Sequence, residues 1–189
     1  MIDLYTWHTP NGRKVSIMLE EIGMDYNVHS INIAKDEQFQ PHFLEVSPNN
    51  RIPAIVDKDN NNYSLFESGA ILMYLAEKSG KLINKSNSDE YFRTIEWLMW
   101  QMGGVGPMFG QVHHFVKYNK GKSAYAEERY SKEARRLYGV MDKRLGQHQY
   151  ISGNEYSIAD ISIWPWTARF DWQEIDLNDF PNVVRWYKE

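Results

Sequence analysis

Residues 47–71 constrain the fold more than any other stretch of this chain. Asn50-Arg51-Ile52-Pro53-Ala54-Ile55-Val56 and Leu65-Phe66-Glu67-Ser68-Gly69-Ala70-Ile71 are two short apolar segments. They flank Asp57-Lys58-Asp59-Asn60-Asn61-Asn62, a polar run of turn formers, and that order predicts a β-hairpin followed by a helix from Ser68. Proline cannot donate a ladder hydrogen bond, so Pro53 is tolerated at a strand entrance and is a candidate for a cis bond there. A sharp turn at Pro53 would leave the Ile52 main chain exposed. An open strand-like backbone beside a Glu-Ser pair at a helix start suits a peptide: backbone pairing, an acid for an ammonium, and helix amides for a carboxylate.

The chain's 189 residues allow one large domain or two small ones, and 42% hydrophobic residues suffice for a sizeable core. A net charge of -4 and a pI near 5.9 argue against a dedicated nucleic-acid or anionic-membrane surface, which needs clustered positive charge. Lys117 to Lys122, with three lysines, reads as a solvated loop. Met1-Ile2-Asp3 has no apolar signal core, and no apolar run approaches membrane-spanning length, so the expected location is cytoplasmic. There is no cysteine. Structural disulfides, thiolate metal sites and a protein thiol nucleophile are thereby excluded, and any sulfur chemistry must use a ligand's sulfur.

In chain order, Ile2 to Thr6 predicts a strand. Asn11 to Ile22 predicts a helix, with Val15, Met18, Leu19 and Ile22 on one face and Gly23 ending it. Asp25 to Ile33 predicts a second strand, and Ala34 to Val46 a short, irregular helix broken by Pro41. The hairpin and a helix over Ser68 to Lys78 complete a first domain over residues 1–80. Gly80 to Ser88 is a polar connector, and residues 89–189 form a helical second domain. Its first helix carries Ile95, Leu98, Met99 and Met102 at helical spacing, and Gly103-Gly104-Val105-Gly106-Pro107 should bend or break it. Ser123 to Leu145 and Ser157 to Phe170 predict two more helices. Ser157 and Asp160 are spaced for a capping box, and Tyr156 and Ile161 for the hydrophobic staple that accompanies it. Pro181 to Lys188 begins a last helix and stops.

Thr9 suits an N-cap and Pro10 a first helical position, so amides around Asn11 and Gly12 should favour an anion beside Thr9. A hydroxyl, an amide NH2 and a helix start can lower a thiol's pKa without a formal charge; the segment can equally be a plain helix start. His113 and His114 are adjacent, point to different helix faces and make poor metal ligands, so no metal is expected.

Asn50 to Ile55 with Phe66 to Ile71 resembles the glutathione-binding core of the glutathione S-transferases. Tyr156-Ser157-Ile158-Ala159-Asp160-Ile161 resembles that family's second-domain capping box, and Thr9-Pro10-Asn11-Gly12-Arg13-Lys14 is similar to its bacterial nu class and the related prion-forming nitrogen regulator of yeast. The resemblance implies an α+β/α architecture, a thioredoxin-like domain followed by an all-α domain, and usually a homodimer. Other classes use tyrosine, serine or cysteine at the sulfur; here Tyr5 lies inside a strand and Trp7 is no acid, and the resemblance places Thr9 and Asn11 there. Glu67 would take the α-ammonium of glutathione and Ser68 its α-carboxylate, while Ile52, preceding a cis Pro53, would pair with the cysteinyl residue. Gln38 and Arg51 are candidates for the glycyl carboxylate, Arg51 having a solvated side chain as its alternative. Arg129 resembles an arginine turned toward the ligand, against a surface ion pair with Glu127 or Glu133. The implied activity is glutathione-dependent disulfide reduction, or transfer to peroxides or electrophiles, with glutathione as co-substrate, as two molecules or as glutathione disulfide. The alternative is a non-enzymatic glutathione-binding regulator on the same fold.

Overall fold

Strand β1 (Ile2–Thr6) lies inside a four-stranded sheet of order β2-β1-β3-β4, with β2 at Tyr26–Ser30, β3 at Ala54–Asp57 and β4 at Tyr63–Phe66. The computed structural model describes all 189 residues and divides into two units, Met1–Ile83 and Asn84–Glu189. In the first unit β1 runs parallel to β2 and antiparallel to β3, and β3 antiparallel to β4. A parallel neighbour requires a crossover, which helix α1 (Pro10–Ile22) supplies; an antiparallel neighbour needs only the turn at residues 58–62.

Alternation along the strands sorts side chains onto the two faces. Tyr5, Ala54 and Phe66 stand opposite one another in register and pack with Ile31, Phe43, Val46 and Ile52. Leu4, Ile55 and Leu65 form the next row, facing the other side, where α1 packs against helix α3 (Ser68–Ser79). The helix expected over Ala34 to Val46 is instead two 3-10 turns, Ile33–Lys35 and Glu37–Phe39, and a short helix α2 at Pro41–Leu44. Pro41 opens that helix rather than breaking one, because a first helical residue needs no amide donor.

The second unit is helical: α4 (Ser88–Trp100), α5 (Gly106–Val112), α6 (Ala124–Leu145), α7 (Ile158–Thr167) and α8 (Pro181–Lys188). The interruption expected at Gly103 to Pro107, a bend or a break, takes the form of a change of helix type without a break. The chain passes from α4 to α5 through a π-turn, Gln101–Val105, in which the Gly106 amide reaches back to the Gln101 carbonyl. The wider turn accommodates Pro107, which has no amide to give. A second π-turn, His113–Tyr118, takes up Lys117, so the loop begins only after Tyr118. Helix α7 ends at Thr167 and a separate 3-10 turn spans Phe170–Gln173.

The predicted capping box is present: Ser157 and Asp160 each accept from the other's end of the turn. Asp160 is fully buried and accepts from the amides of Ile151 and Ser157, the Ser157 hydroxyl and the Trp186 indole. Burial pushes its carboxyl up against the pull of those four donors. No helix is long and apolar enough to cross a membrane.

Candidate functional site

Three chain segments end at one edge of the first unit's sheet. The register Tyr5↔Ala54↔Phe66 places the exit of β1, the entrance of β3 and the exit of β4 side by side. The loop to Thr9, the Ile52-Pro53 pair and Glu67 therefore leave the sheet as neighbours.

At the first exit, Thr9 caps α1 in extended conformation and its hydroxyl oxygen accepts from the Gly12 amide at 3.1 Å. A hydroxyl that accepts one bond can still donate its own proton. Asn11 stands in the same turn, half-buried. Gly12 is required where it is, since an added Cβ would lie 2.4 Å from both the Thr6 hydroxyl and the Trp7 carbonyl oxygen.

At the entrance of β3 the Ile52-Pro53 peptide bond is cis. The Ile52 side chain packs into the sheet's core, while its main-chain amide and carbonyl have no hydrogen-bond partner within the chain. Ser47 ties the preceding loop down through a bond from its hydroxyl to the Arg51 carbonyl at 2.8 Å. Arg51 itself is exposed and donates only to the side chain of adjacent Asn50.

After β4, Glu67 holds φ 72 and ψ 110, in the region that favours glycine. A non-glycine residue there carries strain of order 1–3 kcal/mol, which persists at sites where the surroundings demand the geometry. The side chain is exposed and makes no capping bond. Ser68 is buried at the first turn of α3 and accepts from Lys14 Nζ at 3.2 Å. Lys14 has no exposed surface, and burial brings its pKa down to about 7, with the Glu67 carboxylate pulling it back up. Sequence reasoning passed over Lys14. The signal was a cation four and eight residues before Met18 and Ile22, on the helix face that otherwise carries only apolar residues.

Gln38 is buried in the second 3-10 turn. Its amide nitrogen is directed to Asp36 at 3.4 Å and its carbonyl oxygen has no partner. In this orientation it offers an acceptor, so binding a carboxylate would require the amide to turn over. Arg129 belongs to the second unit. It is exposed on α6 and forms no ion pair: Glu133 is held by Arg136, and Glu127 accepts the amides of Gly121 and Ser123. It lines a cavity of about 600 Å³ with Met108, Tyr125, Tyr130 and Arg136 among others.

The two histidines separate as expected. His114 is exposed, and His113 is buried against Gln173, which also binds the Tyr138 hydroxyl and the Trp166 carbonyl. Burial, with Arg169 nearby, brings the His113 pKa down to about 4, so the imidazole is a neutral part of a core network.

The first unit thus offers an unpaired backbone at Ile52, a hydroxyl donor at Thr9, a strained acid at Glu67 and a buried cation behind Ser68. The family model for the glutathione S-transferase N-terminal domain matches residues 1–77, and that for the C-terminal domain matches residues 124–189. The disulfide-bond oxidoreductase YfcG of Escherichia coli strain K12 is 48% identical over 192 residues, spanning 100% of this chain and 89% of that protein. A glutathione transferase family member from Pseudomonas fluorescens, solved with two glutathione bound, superposes with a TM-score of 0.93 at 47% identity, covering 99% of this chain and 86% of that one. A glutathione transferase from Pseudomonas putida, with one glutathione disulfide bound per subunit, gives 0.91 at 44% identity over 99% and 85% of the two chains. Matching both domain models in order along its length, this chain belongs to the glutathione S-transferase family.

Proposed function

We propose that this protein is a glutathione-dependent disulfide oxidoreductase of the nu-class type. The observation that carries the reading is a helix start capped by Thr9, whose hydroxyl oxygen accepts from the Gly12 amide and whose O–H can still donate, in a chain that has no cysteine of its own. The attacking sulfur then belongs to glutathione: its thiolate displaces one thiol from the disulfide, and a second glutathione resolves the mixed disulfide to glutathione disulfide and the second thiol. The protein's part is to hold the tripeptide and to lower the thiol's pKa. Exchange depends on thiolate fraction and access, so uncharged donors at Thr9 and Asn11 raise the rate while leaving room for the disulfide.

The rest of the tripeptide follows the three segment ends. Ile52 pairs with the cysteinyl main chain. Glu67 takes the α-ammonium, and Ser68 with the first amides of α3 takes the α-carboxylate. Gln38, with its open carbonyl oxygen, suits the glycyl N–H as it stands and the glycyl carboxylate when its amide is turned. Arg51 and Arg129, neither held by an ion pair, are the remaining cations for glycyl carboxylates. Small disulfides are the substrate class, with peroxides and other electrophiles secondary. The setting is the cytoplasm, where the glutathione pool is kept reduced. The assembly is a homodimer, supported by Phe92 and Met99, which lie two turns apart on α4 and are 64% and 47% exposed.

The test is reduction of bis-hydroxyethyl disulfide in the presence of glutathione, with glutathione disulfide measured by a coupled reductase. Thr9→Val combined with Asn11→Ala should lower the rate by ~10²-fold, the scale of losing an oxyanion-hole donor, while glutathione still binds. An unchanged rate in that variant refutes thiolate stabilisation by the pair. If the wild type binds glutathione yet turns over no disulfide, peroxide or electrophile, the regulatory reading replaces the enzymatic one.

A further inference from the structure

A lysine with no exposed surface, on the core face of a helix, is costly to keep charged. Lys14 stands in that position with its Nζ 3.2 Å from the Ser68 hydroxyl. Ser68 is buried at the first turn of α3, a helix of 12 residues whose N-terminal amides favour an anion. The Ser68 hydroxyl oxygen accepts from Lys14, so the cation sets a positive potential directly behind the helix start where an anion would dock.

We propose that Lys14 is the positioning cation for the α-carboxylate of glutathione, and that its buried amine takes up a proton from solvent when the carboxylate docks on Ser68 and α3. The inference rests on the glutathione-binding reading above. Docking brings the ligand's negative charge within one hydroxyl of Nζ, and an opposite charge at that range favours the ammonium form. The proton comes from the buffer and the ammonium stays on Lys14, so no bond in the ligand changes.

Among the groups beside α1, the Glu67 carboxylate raises the Lys14 pKa. Lys78 and Tyr74 of α3 are engaged with Asp57, Glu77 lies near the far end of that helix, and on β1 Asp3 is engaged with Lys58 and His29 while Tyr5 stacks on His29. In the free protein Lys14 already loses its proton from about pH 7. Below that pH both free and bound forms are protonated and affinity is flat. Above it, binding must recruit a proton, and affinity falls by about tenfold per pH unit until the bound form also titrates.

The experiment is titration calorimetry of the intact chain with S-methylglutathione, whose blocked sulfur cannot release a proton, in buffers of differing ionisation enthalpy. Most of one proton should be taken up per ligand at pH 8 and almost none at pH 6. Lys14→Met should abolish the uptake and weaken binding at pH 6 by about tenfold or more, the loss of a charge-assisted contact. A ligand-side control needs no variant: the analogue with 4-aminobutyryl in place of γ-glutamyl lacks only the α-carboxylate and should bind without uptake. Absence of uptake at pH 8 overturns the proposal while leaving glutathione binding intact, as does the same uptake in Lys14→Met or with the analogue. Failure of S-methylglutathione to bind at all instead refutes the functional reading on which the proposal stands.

Discussion

At residues 9, 14, 52, 67 and 68 the groups that build the fold are also the ones proposed to bind glutathione. Thr9 caps a helix with its oxygen and keeps a proton to donate, so the helix start and the proposed anion site are compatible. Glu67 accepts a backbone conformation that costs free energy, and its carboxylate is left without a capping bond. Alanine carries the same Cβ penalty at φ 72, so Glu67→Ala removes the charge without relaxing the backbone. It should weaken glutathione binding by roughly 1.5–3 kcal/mol, the range of a charge-assisted hydrogen bond. Calorimetry measures that loss; unchanged affinity would remove Glu67 from the site.

Helix termini and turns were the most legible elements. The polar run after β3, the cap at Thr9, Gly23 as a left-handed helix end and the Ser157–Asp160 box each depend on residues within a few positions of one another. The form of the α4 to α5 passage was less legible for a related reason. Glycine and proline weaken an α-helical ladder, but whether the chain then breaks or widens into a π-turn depends on side chains arriving from elsewhere. Gly106 is hemmed by the Gln101 amide at 2.7 Å and the Trp166 indole at 3.4 Å, measured to a Cβ placed on it. The capping box also holds more than its own helix. Asp160 gathers donors from Ile151, Ser157 and Trp186, so Asp160→Ala leaves several buried donors unsatisfied at ~1–3 kcal/mol each. A loss of at least about 3 kcal/mol in urea denaturation is expected, and a loss under 1 kcal/mol would show that water replaces the carboxylate.

At the scale of the whole molecule, most of the apolar bulk between Trp97 and Phe109 is absorbed inside the second unit: Leu98, Val105 and Phe109 are buried, and Trp97, Trp100 and Met108 pack against that core. Phe92 and Met99 remain outward. Light scattering at micromolar concentration should therefore give twice the 22.3 kDa chain mass, and Phe92→Asp with Met99→Lys should shift the mass toward the monomer; a monomeric wild type contradicts the homodimer. The sequence alone determined the strand and helix order, the hairpin, the caps and the need for a ligand's sulfur, because turn sterics, capping bonds and residue chemistry act over short chain distances. It also carried the resemblance from which roles for Thr9, Ile52, Glu67 and Ser68 are proposed. Only the tertiary structure decided that Lys14 meets Ser68 across 54 positions, that Gln173 meets His113 across 60, and that α4 passes into α5 through a π-turn. Those outcomes depend on which faces the folded core brings together, and a buried amine or amide finds its partner only after that packing has excluded water.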